Sequence, residues 1–233
     1  MARSVERMIG YRKLLADLEE SGCPVCRGSV RAAAKYLEGL LWENVNDSGV
    51  REELRDDHGF CREHSLALLQ VAGARSEALG VAIVYEDLLD HIERDVANGG
   101  PNPRHRSLRL RSNTRPGRSC RACAVADDVA VNYLGIIAAS EPDGATRRRL
   151  EGAVLCFPHF SRGLGIPGID HARLESVYLR GSVSIRSELR RLIDHADYRR
   201  ADEPWGPEKD AWVRAIHLIV GSPAHGAVAD SRP

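Results

Sequence analysis

The sequence predicts an all-α fold, a helical bundle built from two tandem Cys-x-x-Cys…Cys-x-x-His repeats. Two observations carry this prediction. Apolar residues recur at helical spacing along most of the 233-residue chain, while strand-like alternation is confined to short pieces such as Ser107–Ser112. All six cysteines fall into two copies of one motif order. Each repeat is therefore expected to close around a metal ion.

The first half of the chain predicts four helices separated by turns that contain glycine or polar residues, which are common helix ends. These helices begin near Val5 and Cys26 and at Ser65 and Ser76, and they end at Gly22, at the turn Asn46–Gly49, at Gly73 and at Ala97.

The C-terminal part predicts a helix over Asp170–Arg200 and another over Glu208–Gly221. The last helix is rich in apolar residues, and these are expected to dock against the bundle. They are Trp212, Val213, Ile216, Leu218, Ile219 and Val220.

An internal repeat is the most informative feature of the sequence, because repeats reveal the unit of architecture. The first Cys-x-x-Cys pair and the dipeptide Tyr36-Leu37 recur 97 residues later, and the first Cys-x-x-His pair recurs 95 residues later. A shortening by two residues near the intervening turn explains the change in offset. Each copy has the order Cys-x-x-Cys, helix, turn, short helix, Cys-x-x-His, helix. The sequence therefore predicts a first repeat over 1–97, an Arg/Gly/Pro-rich linker over 98–119, a second repeat over 120–220 and a disordered tail over 221–233.

The two motif copies predict metal binding, with about two zinc ions per chain, because three thiolates and one imidazole suit tetrahedral zinc. The simplest assignment places Cys23, Cys26, Cys61 and His64 in one site, although spacing alone leaves open whether ligand pairs close within a repeat or exchange between repeats. The second site is expected to be weaker, because its Cys pair lacks the proline of the first. The predicted ligands are Cys23, Cys26, Cys61, His64, Cys120, Cys123, Cys156 and His159.

Other uses of the cysteines remain open at this stage. A Cys₃His set can also hold an iron–sulfur cluster, and cysteines at helix N-termini, such as Cys23 and Cys120, can form a reactive dithiol. The thiols could also be small buried apolar groups. A thioredoxin-like site would need a βαβ context that the sequence lacks. Haem attachment would need histidine where Arg27 and Ala124 stand.

The sequence gives weak indications about partners. Formal net charge is zero, with 33 basic and 33 acidic residues, and indicates no partner class. An unidentified protein partner is compatible with the fold. The linker 98–119 carries arginines and no acidic residue, so it could contact nucleic-acid phosphates, although a solvated linker is the favoured interpretation. These arginines are Arg104, Arg106, Arg109, Arg111, Arg115 and Arg118.

A non-enzymatic role is favoured, because a closed four-ligand site has no open position for a substrate. The charged stretch Tyr85–Asp95 places Glu86 and Asp90 beside His91, which predicts a solvated helix face. A signal peptide and a long apolar run are both missing from the sequence. The expected location is the cytoplasm, with no membrane contact, where cysteine clusters more often bind metal than form disulfides.

The motif order "CPVC", "YLEGLLWENVND", "GFCREH", "AIVYEDLLDH", "CRAC" and "LCFPHF" resembles an uncharacterised family of bacterial helical proteins with paired Cys-x-x-Cys and Cys-x-x-His motifs. The resemblance covers most of the chain apart from the tail. It implies the order of elements and a bacterial cytoplasmic setting. It implies no substrate.

Overall fold

The computed structural model describes residues 2–75, 78–97, 120–139, 149–150, 152–195 and 204–222. Within these ranges the regular elements are helices, and no strand occurs, as the periodicity predicted. The α-helices are α1 (Ala2–Asp17), α2 (Pro24–Glu43), α3 (Ser48–Asp56), α4 (Arg62–Arg75), α5 (Ala78–Ala97), α6 (Arg121–Ala138), α7 (Phe157–Leu164), α8 (His171–His195) and α9 (Ala211–Val220), with a 3₁₀ helix at Pro207–Asp210 before α9.

Helix boundaries follow the local chemistry. Asp47 caps α3 by accepting a hydrogen bond from the Val50 backbone N–H at 2.9 Å. Gly22, with φ +93°, lies between α1 and the first Cys pair, in a backbone conformation that glycine adopts readily. The predicted linker 98–119, with its arginines and the stretch Ser107–Ser112, lies outside the described residues.

The chain forms two compact units whose boundaries differ from the predicted tandem segments. One unit combines Met1–Ser29 with Asp128–Pro223, and the other contains Val30–Asp127. The boundaries fall inside α2 and α6, so the first turn of α2 belongs to a different unit from the rest of that helix. Each unit therefore draws on both halves of the chain's motif pattern.

The core of the first unit is built from α1, the first turn of α2 and the second half of the chain. Leu14, Val25, Leu134 and Leu174 are among its fully enclosed apolar side chains. Three cysteines belong to this same core: Cys23, Cys26 and Cys156. Burial shields these three thiols from water. Their ionisation and ligand binding therefore depend on the side chains that they contact.

The core of the second unit lies along the rest of α2, with α3, α4 and α5. Leu37, Leu54, Leu68 and Leu88 are buried there, and Cys120 is enclosed with them. Helical spacing predicts that seven apolar residues from Val30 to Val45 share one face. Four of them, Ala33, Leu37, Leu40 and Leu41, are buried, and the other three, Val30, Ala34 and Val45, are partly buried. The helical spacing of α2 thus predicted its buried face.

The predicted docking of the last helix is only partly correct. Helix α9 packs against α7 and α8, and it buries Ala211 and Leu218, seven residues apart. The prediction was wrong for four other apolar residues, which are between 50% and 66% exposed. Because nearly every position of α9 is apolar, the pattern could not indicate which face is buried. The exposed residues are Trp212, Ile216, Ile219 and Val220.

A buried polar contact joins α1 to α6 in the first unit. The Tyr133 hydroxyl donates a hydrogen bond to the Asp17 carboxylate at 2.7 Å, and both side chains are almost completely enclosed. The ring of Tyr133 also lies over Gly28, where an added Cβ would come within 2.6 Å of it. Tyr133 therefore fixes the start of α2 as well as the end of α1.

Replacing Tyr133 with phenylalanine is expected to lower the free energy of unfolding by about 1–3 kcal/mol, because a buried carboxylate loses a hydrogen-bond donor. The matched control is Tyr36→Phe, at the corresponding position of the first motif copy. The Tyr36 hydroxyl is buried without a hydrogen-bond partner among the described residues, and burial raises its pKa to about 12. The control should be neutral or slightly stabilising. Denaturant unfolding of the two variants measures the difference, and equal losses would contradict it.

Candidate metal centres

The first cluster, here cluster 1, contains Cys23, Cys26, Cys156 and His159 in the first unit. The Cys26 Sγ lies 3.5 Å from the Cys156 Sγ. His159 turns its Nδ1 towards all three sulfurs, at 3.8 Å from Cys23, 3.3 Å from Cys26 and 3.1 Å from Cys156. Four potential ligand atoms thus surround one point.

The second cluster, cluster 2, contains Cys61, His64, Cys120 and Cys123 in the second unit. The Cys123 Sγ lies 3.7 Å from the Cys61 Sγ and 3.8 Å from the Cys120 Sγ. The Nδ1 of His64 lies between 3.2 and 3.5 Å from the three sulfurs. Cluster 2 therefore repeats the donor set and the histidine nitrogen of cluster 1.

The ligand pairs are exchanged between the two motif copies. The Cys pair of the first copy meets the Cys-x-x-His pair of the second, and the reverse holds for cluster 2. The simplest assignment, with Cys23, Cys26, Cys61 and His64 in one site, was wrong. Helix lengths give the reason: α2 has 20 residues and α3 only 9, so at 1.5 Å per residue they span about 30 and 14 Å. Helix α3 alone is therefore about half as long as α2.

The distances within both clusters fit one tetrahedral ion. With Zn–S bonds of about 2.3 Å and Zn–N bonds of about 2.05 Å, neighbouring sulfurs of a tetrahedron are about 3.8 Å apart, and sulfur and nitrogen about 3.6 Å. The observed separations of 3.1 to 3.8 Å are close to these values, and most are a few tenths of an ångström shorter. All six cysteines are free, and sulfur atoms more than 3 Å apart are far beyond the length of a disulfide bond.

All four ligand pairs occupy the same position, the first turn of a helix. In each pair, the backbone carbonyl of the first cysteine accepts the first hydrogen bond of the helix. The donor is the backbone N–H four residues later, at 2.9 to 3.3 Å. The partial positive charge of a helix N-terminus stabilises anions, and a zinc ion with three thiolates and one imidazole carries a net negative charge. Two helix N-termini meet at each cluster. The leading cysteines are Cys23, Cys61, Cys120 and Cys156.

Thiols packed this closely cannot all keep an ordinary pKa. In cluster 2 the hydrogen bond between the Cys120 and Cys123 thiols lowers the pKa of Cys120 to about 3, and the same contact raises the pKa of Cys123. In cluster 1 burial opposes ionisation of Cys23, but hydrogen bonds from its neighbours hold its pKa well below the usual value, while the pKa of Cys156 is raised. One thiolate per cluster forms readily and then disfavours the next. A divalent cation at the centre would remove this conflict.

The two clusters differ in their access to solvent. The three thiols of cluster 1 are each at most 5% exposed, whereas Cys61 and Cys123 of cluster 2 are only partly buried. The two partly buried thiols come from different motif copies, Cys61 from the first and Cys123 from the second. The proline of the first Cys pair therefore does not indicate which site is weaker. Both clusters have a complete set of four donors.

A segment that contacts cluster 1 was not predicted from the sequence. Just after α9, the Ser222 backbone N–H donates a hydrogen bond to the Cys26 Sγ at 3.4 Å. Gly221, with φ +83°, makes the turn, and a Cβ there would lie 3.5 Å from the same sulfur. Two residues of the predicted tail over 221–233 thus contact cluster 1, and residues 223–233 lie outside the described residues. A backbone N–H donor of this kind stabilises a metal-bound thiolate.

The chain matches a known protein family. A family described as "Family of unknown function (DUF6062)" matches residues 16–165, a span that includes every residue of both clusters. The chain belongs to this family. The resemblance to an uncharacterised helical family is thereby confirmed.

The chain is also similar to a protein of Caldicellulosiruptor sp. (strain Rt8B.4), named as an uncharacterized 23.9 kDa protein in the xynA 3'region. The two are 23% identical over 215 residues, which cover 90% of this chain and 100% of the relative. No solved structure matches the chain. Among the described residues, no helix has the length and apolar character needed to cross a membrane.

Proposed function

We propose that this protein is a non-enzymatic, zinc-stabilised helical module that serves an interaction or regulatory role. One observation carries the zinc assignment: in each cluster, four donor atoms of the Cys₃His type lie within 4.8 Å of one another. This donor set is typical of structural zinc, and four protein ligands leave no open coordination position for a substrate. The ions would hold together chain segments that are far apart in sequence.

The geometry favours a single ion over an iron–sulfur cluster. In such clusters the protein ligands bind different iron atoms, so the ligands lie farther apart than those around one ion. Here every donor of a cluster is near every other. A dithiol redox role is also disfavoured, because each Cys-x-x-Cys pair lies beside a third thiol and an imidazole that a dithiol does not need. The free state of all six cysteines is what a reducing compartment such as the cytoplasm would maintain.

The interaction role is supported by the surface of the first unit. Helix α9 exposes Trp212, Ile216 and Ile219 by half or more. These positions are four and three residues apart and so lie on one helical face. Large apolar side chains that remain exposed together are typical of surfaces that bind other molecules.

Elemental analysis of anaerobically purified protein tests the zinc assignment. We expect about two zinc ions per chain and a colourless preparation, as Cys₃His zinc sites predict. Replacement of zinc by cobalt should give the strong visible absorption of tetrahedral cobalt thiolates at both sites. Iron with acid-labile sulfide, or a fully folded protein without metal, would contradict the proposal.

A further inference from the structure

A third group of possible ligands lies in the second unit, away from the cysteines. It combines His58, His91 and Asp95, whose ligand atoms lie within 4.8 Å of one another. The Asp95 Oδ2 is 3.4 Å from the His58 Nε2 and 3.6 Å from the His91 Nε2. Sequence analysis predicted only a solvated face around His91. It could not detect the group, because His58 precedes the other two by more than thirty residues.

The spacing of these three residues is that of ligands around one ion. Metal–nitrogen and metal–oxygen bonds of about 2.0–2.2 Å place two tetrahedral ligands about 3.4 Å apart. Both imidazole-to-carboxylate separations agree with this value. They are longer than the 2.7–3.2 Å of good hydrogen bonds. The carboxylate is therefore poorly placed as a hydrogen-bond acceptor and well placed as a third ligand.

Two of the ligands come from one helix face. His91 and Asp95 are separated by four residues on α5, so their side chains lie one above the other on the same side of the helix. The same spacing places the two histidines of H-E-x-x-H motifs on one zinc ion. The side chains are 27% and 48% exposed, so a solvated ion can reach them.

The third ligand is held by an unusual turn. His58 has φ +49°, a left-handed conformation uncommon for residues other than glycine. Backbone hydrogen bonds after α3 fix the turn, from His58 N–H to the Arg55 carbonyl at 3.0 Å and from Gly59 N–H to the Leu54 carbonyl at 2.7 Å. The imidazole then lies edge-to-face with that of His91, with ring centroids 5.8 Å apart. The turn thus aims His58 at α5.

No arginine or lysine of the described residues forms an ion pair with this carboxylate. Arg51 and Arg55 pair with Asp87, and Arg94 pairs with Asp90. Among the described residues, the ion pairs of Asp95 are those with the two imidazoles. The nearby positive charges are therefore engaged elsewhere on α5, and the oxygen that faces both histidines is accessible to a metal ion.

We propose that His58, His91 and Asp95 form a third metal site, one that is unfilled in the protein as purified and takes up a divalent transition-metal ion of the Zn²⁺ or Ni²⁺ class from solution. Two imidazole nitrogens and one carboxylate oxygen, without thiolate, suit such ions. Three protein ligands leave at least one coordination position open, in contrast to clusters 1 and 2. This site shares no residue with the cysteine clusters. A test of it therefore does not depend on the zinc assignment of those clusters.

Titration of the purified protein with Ni²⁺ tests the site. We expect about one nickel ion per chain to bind without release of the metal already present, as measured by calorimetry and by elemental analysis after dialysis. His91→Asn and Asp95→Asn should each weaken this binding tenfold or more, because even residues that only support ligands change affinity by about 10–100-fold. The matched control is Glu93→Gln, which removes an acidic residue of the same helix outside the group.

The turn residue needs its own variant, because a change in backbone strain could be mistaken for loss of a ligand. His58→Asn keeps a residue type that tolerates positive φ while removing the imidazole. It should weaken nickel binding like the α5 variants and leave the circular dichroism spectrum unchanged. Nickel uptake that is absent, that displaces the resident metal ion for ion, or that survives all three ligand substitutions would overturn the proposal.

Discussion

A protein with the paired substitutions Cys26→Ser and Cys156→Ser is expected to retain about one zinc ion, whereas Cys26→Ser with Cys61→Ser should retain none. The first pair belongs to one cluster, in which the sulfurs are 3.5 Å apart. The second pair takes one ligand from each cluster. Serine keeps the size of the side chain but provides no thiolate. Zinc content after dialysis against a moderate chelator, under anaerobic conditions, is the measurement.

The two variants differ only in which second cysteine is changed, so each is the control for the other. If the ligand pairs closed within their own motif copies, the zinc contents would be reversed. A third variant, Cys61→Ser with Cys123→Ser, removes two ligands of cluster 2 and should again retain about one ion. Equal zinc contents in all three proteins would contradict two independent clusters.

Retention of one ion is expected because each cluster has its own core. Cys156 lies among the apolar residues of the first unit, and Cys120 among those of the second. Loss of cluster 1 therefore leaves the helices α3, α4 and α5 around Leu54 and Leu88 packed as before. Cobalt bound to the remaining site should keep the spectrum of three thiolates and one imidazole.

The sequence predicted the fold class and the ligand types because both depend on local pattern. Helical spacing determined which residues of α2 are buried, such as Leu37 and Leu40. The three-residue spacing of each ligand pair matches a helix start, where the first cysteine accepts the opening hydrogen bond of the helix. These features need no knowledge of the distant parts of the chain.

The spacings within the ligand pairs do not indicate how the pairs combine, because both arrangements use the same spacings. What decides between them is the packing of distant segments: Cys26 and Cys156 are 130 residues apart. A usable signal did exist. The polar turn Asn46–Gly49 leaves a return segment much shorter than the preceding helix, and this mismatch argues against closure within one copy.

Two other features depend on distant contacts in the same way. The hydrogen bond from the Ser222 N–H to the Cys26 Sγ spans 196 residues. His58 reaches α5 only because the backbone turns left-handed after α3, at a residue other than glycine. No sequence motif marks either contact, since a backbone N–H has no side-chain signature and positive φ is uncommon for residues other than glycine.

Removal of both metal ions with a strong chelator is expected to unfold the protein at room temperature. Structural zinc provides about 10–16 kcal/mol of apparent binding free energy in small zinc domains, whereas a whole domain is stable by only about 5–15 kcal/mol. The six thiols would also be left packed in or against apolar cores, where ionisation of one disfavours ionisation of its neighbours. The helical circular dichroism signal should fall as zinc is released and return when zinc is added back.

Release of zinc is further expected in two kinetic phases, with cluster 2 first. Cys61 and Cys123 are partly exposed, so a chelator can approach their ion, while the three thiols of cluster 1 are at most 5% exposed. The Ser222 N–H bond to Cys26 further protects cluster 1. A chromogenic chelator reports both phases, and Cys123→Ser should abolish the fast one while Cys156→Ser abolishes the slow one.

The order of the two phases tests whether solvent access or the strength of the ligands controls the rate of zinc release. Both clusters have the same donors and the same histidine nitrogen, and two helix N-termini meet at each. Because the donors are the same, a difference in release rate must come from the surroundings of the ion, which include solvent access and, at cluster 1, the Ser222 N–H. A single phase that both variants slow equally would show that the ions leave only after the chain has unfolded. A fast phase that survives Cys123→Ser would contradict the order.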